Sequence, residues 1–262
     1  MALKNRFAIA AVALATVFVI ASFAQAQEQV VDKKGRVLTK VTFIHFKKEP
    51  GKPAGGGGGG KTDSGDYTYI AKGAKWRGTE DVYLNPENGD GVPADCVTQA
   101  ATLAMNEWET PGTATLNIFK DTLVGTVGPD GEPIAYNNGA HRDYNTISFG
   151  DYSGGGNVIA VTTVWGVFGG PVNQREITEA HILLNDVYTW GDATRDVDGD
   201  GSPDYVMDVQ NILTHELGHW VGMGDLYQGG AIEETMYGYS TVGETKKRDL
   251  YKGDIAGVTK LY

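Results

Sequence analysis

The sequence predicts an α/β (α+β) fold of five strands and three helices in one domain, on three observations. Short runs rich in Val, Ile, Thr and Phe recur between turn residues from Asp81 to Asn185. One stretch in the first half and two in the second instead repeat apolar residues at helical spacing. Six consecutive glycines, Gly55 to Gly60, separate all of this from the N-terminal part. Such a run packs against nothing and behaves as a flexible linker.

The chain opens Met1-Ala2-Leu3-Lys4-Asn5-Arg6, then runs apolar from Phe7 to Phe23 and reaches Ala24-Gln25-Ala26, a small-x-small cleavage site. That is the pattern of a secretory signal peptide, residues 1–26, cut after Ala26. An uncleaved anchor is the alternative, but an apolar run holding Thr16 and Ser22 is short for a membrane span. The expectation is a secreted, extracellular protein with no membrane contact after cleavage. Losing Lys4 and Arg6 moves the net charge from −11 to −13, 20 basic groups against 33 acidic. That acidity argues against nucleic acid or anionic membrane as a partner. Cys96 is the only cysteine, so no intrachain disulfide can form. It is expected as a buried thiol within a core large enough for a monomer.

Residues 27–61 read as a prosegment or flexible tail. Val37 to Phe46 is β-prone, and the polar, proline-bearing Lys47 to Ala54 leads into the glycines. His45, within it, is expected as a solvated strand residue, although it could reach a metal. Residues 62–262 form the folded domain. Asp81 to Leu84 is a first short strand, ended by Asn85-Pro86. Ala94 to Glu109 is a helix, with Val97, Ala101, Ala104 and Trp108 on one face and Pro111-Gly112 closing it. Ala114 to Phe119 alternates as a second strand, and a loop rich in Gly, Pro and Asn follows. Asn145 to Phe149, Val158 to Trp165 and Ile177 to Asn185 complete the strands. Val209 to Val221 and Arg248 to Leu261 are the remaining helices, with Asp208 a candidate N-cap for the former.

Between the last strand and the second helix lies Asp196-Val197-Asp198-Gly199-Asp200-Gly201-Ser202-Pro203-Asp204. Asp196, Asp198, Asp200 and Asp204 at positions 1, 3, 5 and 9, with glycine at 6, copy the start of an EF-hand calcium loop. Met207 stands where the closing Glu belongs, so no complete EF-hand is expected. Four acids this close repel one another without a cation. The expectation is structural Ca2+, with a solvated acidic turn as the alternative.

The second helix carries His215-Glu216-Leu217-Gly218-His219. Histidines four apart share one helical face and can present two imidazoles to one Zn2+. Glu216, one step round, is placed to act as general base on a zinc-activated water. No histidine follows His219, so a third ligand from beyond the helix must be a carboxylate. Asp225 is the nearest, and Gly222 sits at the turn that would bring it back. A rival scheme takes Glu233, Glu234 or Glu244 instead.

The stretch His215 to Asp225 resembles the metzincin signature HExxHxxGxxH with Asp in the last position, a variant seen in the snapalysin type. The likeness to the matrixin branch rests on four further matches. They are Ile147-Ser148-Phe149-Gly150, Ala180-His181 with Trp190, Thr235-Met236-Tyr237, and Asp254-Ile255-Ala256-Gly257-Val258 with Leu261-Tyr262. By element order it covers Gly73 to Tyr262. The resemblance implies a metzincin catalytic domain: a twisted mixed five-stranded sheet, an active-site helix, one earlier helix and a C-terminal helix. It makes Val158 to Trp165 an edge strand at the rim of a cleft, open to an extended peptide by β-augmentation. It puts Met236 in a supporting turn beneath the metal and Tyr237 and Tyr239 along the substrate pocket.

It implies a zinc endopeptidase acting on polypeptides, with His215, His219 and Asp225 as ligands. Matrixins stay latent through a prosegment cysteine on the zinc; residues 27–61 contain none. Of the ligands to the matrixin structural zinc only His181 has a counterpart; His141 with Asp143 is the alternative source of a site, but a second zinc is not expected, and His181 reads as a hydrogen-bonded strand residue. The competing reading is a calcium-stabilised extracellular binding protein on an inactive protease scaffold.

Overall fold

The computed structural model of the protein describes residues 30–48, 67–196 and 199–262. The expected signal peptide, the glycine run and Asp198 lie outside the described residues. The strands are β1 (Thr39–Lys47), β2 (Thr68–Tyr69), β3 (Glu80–Leu84), β4 (Phe119–Val124), β5 (Asn145–Gly150), β6 (Val158–Val167), β7 (Glu176–Asn185), β8 (Trp190–Gly191), β9 (Met207–Asp208), β10 (Met223–Gly224) and β11 (Tyr239–Ser240). The helices are α1 (Ala94–Glu109), α2 (Val209–Trp220) and α3 (Lys252–Leu261). Seven of the strands form one mixed sheet in the order β11-β1-β6-β7-β5-β3-β4, and β6 runs antiparallel to both its neighbours. No helix among the described residues is long and apolar enough to cross a membrane.

β5, β6 and β7 are buried along almost their whole length, so they read as continuous apolar runs, not alternating ones. Ile147, Ile182 and Leu184 face the main core with α1 and α2, while Val158, Val161 and Leu183 form a smaller cluster on the other face. Each such fully buried aliphatic side chain contributes about 1.5–3 kcal/mol. α1 runs over the residues its periodicity predicts and buries Val97, Ala101, Ala104, Met105 and Trp108. The Trp108 indole N–H donates 2.7 Å to the Thr214 carbonyl, fixing α1 against α2.

Both ends of α2 are set by local chemistry. Asp208 is its N-cap: the carboxylate accepts from Asn211 N at 2.8 Å and is held by Arg248. At the other end Gly222 takes φ +103°, and a Cβ there would lie 2.8 Å from the Ala74 carbonyl. Only glycine fits that exit.

Four expectations change. The second strand is Phe119–Val124, not Ala114–Phe119. The Glu109 carboxylate accepts from Ile118 N and Phe119 N, tying the earlier residues to the end of α1. The last helix starts at Lys252, because Lys246–Arg248 is a separate 3-10 turn. Cys96 is half-buried, since it lies on the outer side of α1's first turn. The sheet has seven strands because β1, from the supposed tail, pairs with β6 and carries β11 on its other side. β6 is therefore not an edge strand.

Candidate metal centre and cleft

α2 and the turn after it bring His215, His219 and Asp225 together, all buried or nearly so. His215 Nδ1 donates to the Thr235 carbonyl at 2.7 Å and His219 Nδ1 to the Met223 carbonyl at 3.0 Å. A carbonyl can only accept, so each ring turns its Nε2 lone pair inward. Those Nε2 atoms lie 3.2 Å (His215) and 3.4 Å (His219) from Asp225 Oδ1. His215 Nε2 and Asp225 Oδ1 are buried without a hydrogen-bond partner. Lone pairs facing one another at this range repel unless a cation sits among them. Ligands bonded at about 2.0–2.1 Å to a tetrahedral zinc lie about 3.4 Å apart, so the residues present fit that metal.

The two rings differ electrostatically: burial would lower His219, but the Asp225 carboxylate raises it. Burial, reinforced by Lys247, pushes His215 down to about 4, so the ring is neutral. Burial alone would raise Asp225, but the His219 and His215 rings hold its carboxyl far below the usual range. Tyr227 donates its hydroxyl 3.0 Å to Asp225 Oδ2, which leaves Oδ1 for the centre. Burial and that carboxylate raise the phenol well above its ordinary value.

Glu216 is fully buried, and burial pushes it up to about 7. One oxygen, Oε2, accepts from the Thr162 hydroxyl of β6. The other, Oε1, lies 2.9 Å from His45 Nδ1 of β1. His45 is thus not solvated: 1 % of it is exposed, its ring lies 3.9 Å from that of His215, and Phe43 stacks on His219 at 3.9 Å. Burial and the neighbouring His215 and Lys247 keep His45 neutral.

Met236 lies beneath α2, where a Cβ on Gly218 would come within 2.1 Å of its sulfur and 2.7 Å of Trp108 Cζ2. The turn carrying Met236 hangs on Asp254, whose carboxylate accepts from Thr235 N at 2.6 Å and Met236 N at 3.2 Å. Tyr237 is buried and Tyr239 half-buried, their rings 5.7 Å apart. The Tyr237 and Tyr239 carbonyls and Ser240 Oγ accept from Lys247 Nζ, a fully buried ammonium that burial lowers to about 8.

Sequence reasoning missed Tyr227, Thr162, Lys247 and the role of Asp254. Only the last had a signal, its place in the C-terminal Asp-Ile-Ala-Gly motif. The rival ligands stand elsewhere: Glu234 accepts from Gly253 N, Glu233 pairs with Lys246, and Glu244 lies by Ser240 and Lys247.

The acidic loop is held by its own carboxylate-to-amide hydrogen bonds. Asp196 accepts from Gly199 N, Asp200 N and Gly201 N, and Asp200 accepts from Ser202 N. Among the described residues the loop brings no three carboxylates together as the metal centre does. His181 sits as expected, between the Thr146 hydroxyl at 2.8 Å and Glu179 at 2.6 Å.

A family model described as Matrixin matches residues 75–262. Over 67 residues the chain is 43% identical to Metalloendoproteinase 1-MMP of Arabidopsis thaliana, a stretch that is 26% of this chain and 17% of that protein.

Proposed function

The chain belongs to the matrixin family, and on that premise we propose that it is a secreted zinc-dependent endopeptidase that hydrolyses extended polypeptides. His215, His219 and Asp225 hold the zinc in this reading. The observation that carries it is the buried set of three inward-facing acceptors with two orphaned atoms. Zinc held there supplies Lewis acidity, acidifying water and polarising the scissile carbonyl.

Glu216, pushed towards neutrality and one helical step from His215, takes the proton from the attacking water and passes it to the leaving amine. The Thr162 hydroxyl orients its carboxylate for both transfers. Tyr227 fixes the third ligand's carboxylate, and Asp254 holds the turn under the metal. Tyr237 and Tyr239 line the substrate pocket, beside the backbone that pairs with an extended strand. Asp196, Asp198, Asp200 and Asp204 hold structural calcium that stiffens the approach to α2; the spacing of their carboxylates supports this.

Elemental analysis of the purified full chain tests the metals, with one zinc expected and its loss expected in Asp225→Ala. Cleavage of casein or gelatin tests the activity. It should vanish in Glu216→Ala and with a chelator. Zinc-loaded, folded protein that cleaves no peptide, even with β1 displaced, would favour the binding-protein reading.

A further inference from the structure

We propose that residues 39–47 are a built-in pseudosubstrate, a strand that fills the cleft an extended polypeptide would use and keeps the chain latent while it stays. This rests on the endopeptidase reading above.

The backbone carries the first part. β1 pairs antiparallel with β6 from Thr39 opposite Gly166 to His45 opposite Ala160, then parallel with β11 through Phe46 and Lys47. It spans both rims of the cleft, so no second strand can use that edge of β6. Side chains lock it from both faces. Ile44 packs on the Val158, Val161 and Leu183 cluster, while Phe43 and His45 point to the metal centre. Arg36, just before the strand, pairs with Asp32 and with Glu176 at the start of β7.

The chemistry of His45 carries the second part. A neutral imidazole has one N–H and one lone pair. Nδ1–H reaches Glu216 Oε1 at 2.9 Å, and Nε2 lies 3.4 Å from the Lys247 ammonium. Thr162 already holds Oε2, and the His45 ring stands against Oε1, where a water would have to approach to hand over its proton. The strand blocks the base without a thiol. Because it is tethered to the domain, its effective concentration is on the order of millimolar, so modest intrinsic affinity suffices.

The test uses the full chain with Phe43→Ala and His45→Ala together, assayed on a fluorogenic peptide library. The double variant should exceed wild type in kcat/KM by at least about tenfold. A synthetic peptide of residues 37–48 added to it should inhibit competitively, and the same peptide with His45→Ala at least about tenfold more weakly. Equal rates for wild type and variant, or equal inhibition by both peptides, would overturn the proposal. If the double variant does not fold, His45→Phe keeps the bulk while removing both ring-nitrogen contacts, and the same acceleration is required of it. If no zinc-loaded form cleaves anything, the endopeptidase reading fails separately. Fluorescence anisotropy of the labelled 37–48 peptide on the variant then decides the strand, with absence of saturable binding counting against it.

Discussion

His215, His219 and Asp225 in the cleft, and His141, Asp143 and Glu179 near Trp165, each gather imidazole and carboxylate atoms within 4.8 Å of one another. Their hydrogen bonding is opposite. Glu179 accepts from Arg142 N and Asp143 N at 2.7 Å and from His181 at 2.6 Å, and its Oε2 lies 3.4 Å from His141. That carboxylate is saturated by donors that cannot leave. Asp225 Oδ1 and His215 Nε2 have none. Proximity of donor types is therefore a poor sign of a metal site, and unmet hydrogen-bonding capacity a good one.

The largest effect that could break this contrast is on metal retention. Asp225→Ala should take the zinc content of purified protein from one equivalent to near none, while Glu179→Ala leaves it unchanged. Loss of zinc from the Glu179 variant alone would reverse the assignment. Next, Glu179→Ala strands the buried His181 ring and the Arg142 and Asp143 amides and should cost about 3 kcal/mol in chemical denaturation; an unchanged midpoint would mean the network is dispensable. Tyr227→Phe should weaken zinc binding by roughly 10- to 100-fold in a chelator competition while the fold stays intact. Unaltered affinity would show that the phenol does not orient Asp225.

The smallest effect concerns a third way of settling a buried carboxylate. Burial and the adjacent Asp254 push Glu234 up to about 7. The folded chain then holds a proton the unfolded chain has released, so this pair stabilises fully below about pH 4.5 and loses that contribution as pH rises through about 7. Denaturation of metal-free protein at several pH values should show it, and Glu234→Gln should flatten the difference. A slope identical in both proteins would remove the proton from the account.

How much of this the sequence disclosed follows from the range of each interaction. The helical spacing of His215 and His219, the glycine exit at Gly222 and the cap at Asp208 are local, and each lies where it was expected. α1 likewise followed from its own periodicity. β4 was displaced because the Glu109 side chain holds the residues ahead of it, which no alternating pattern records. β1 illustrates the limit most clearly. Its β-prone composition was visible, but whether such a run floats or docks depends on β6, more than 100 residues away. Thr162 and Lys247 are set by the same kind of distant packing, whereas Tyr227 lies only two residues from Asp225 and was missed because no spacing rule marks that contact. The single histidine whose environment was misjudged, His45, lies on that docked strand.

Gly218 gives the five-residue signature an unequal grammar. Two of its places are written as free, and neither touches the metal. Yet one of them sits where a single methyl would meet the sulfur below and the indole beside it. A saturation library across positions 215 to 219 should recover alternatives at 217 far more readily than at 218. In this chain the spelling of the motif is dictated from underneath as much as from the cleft.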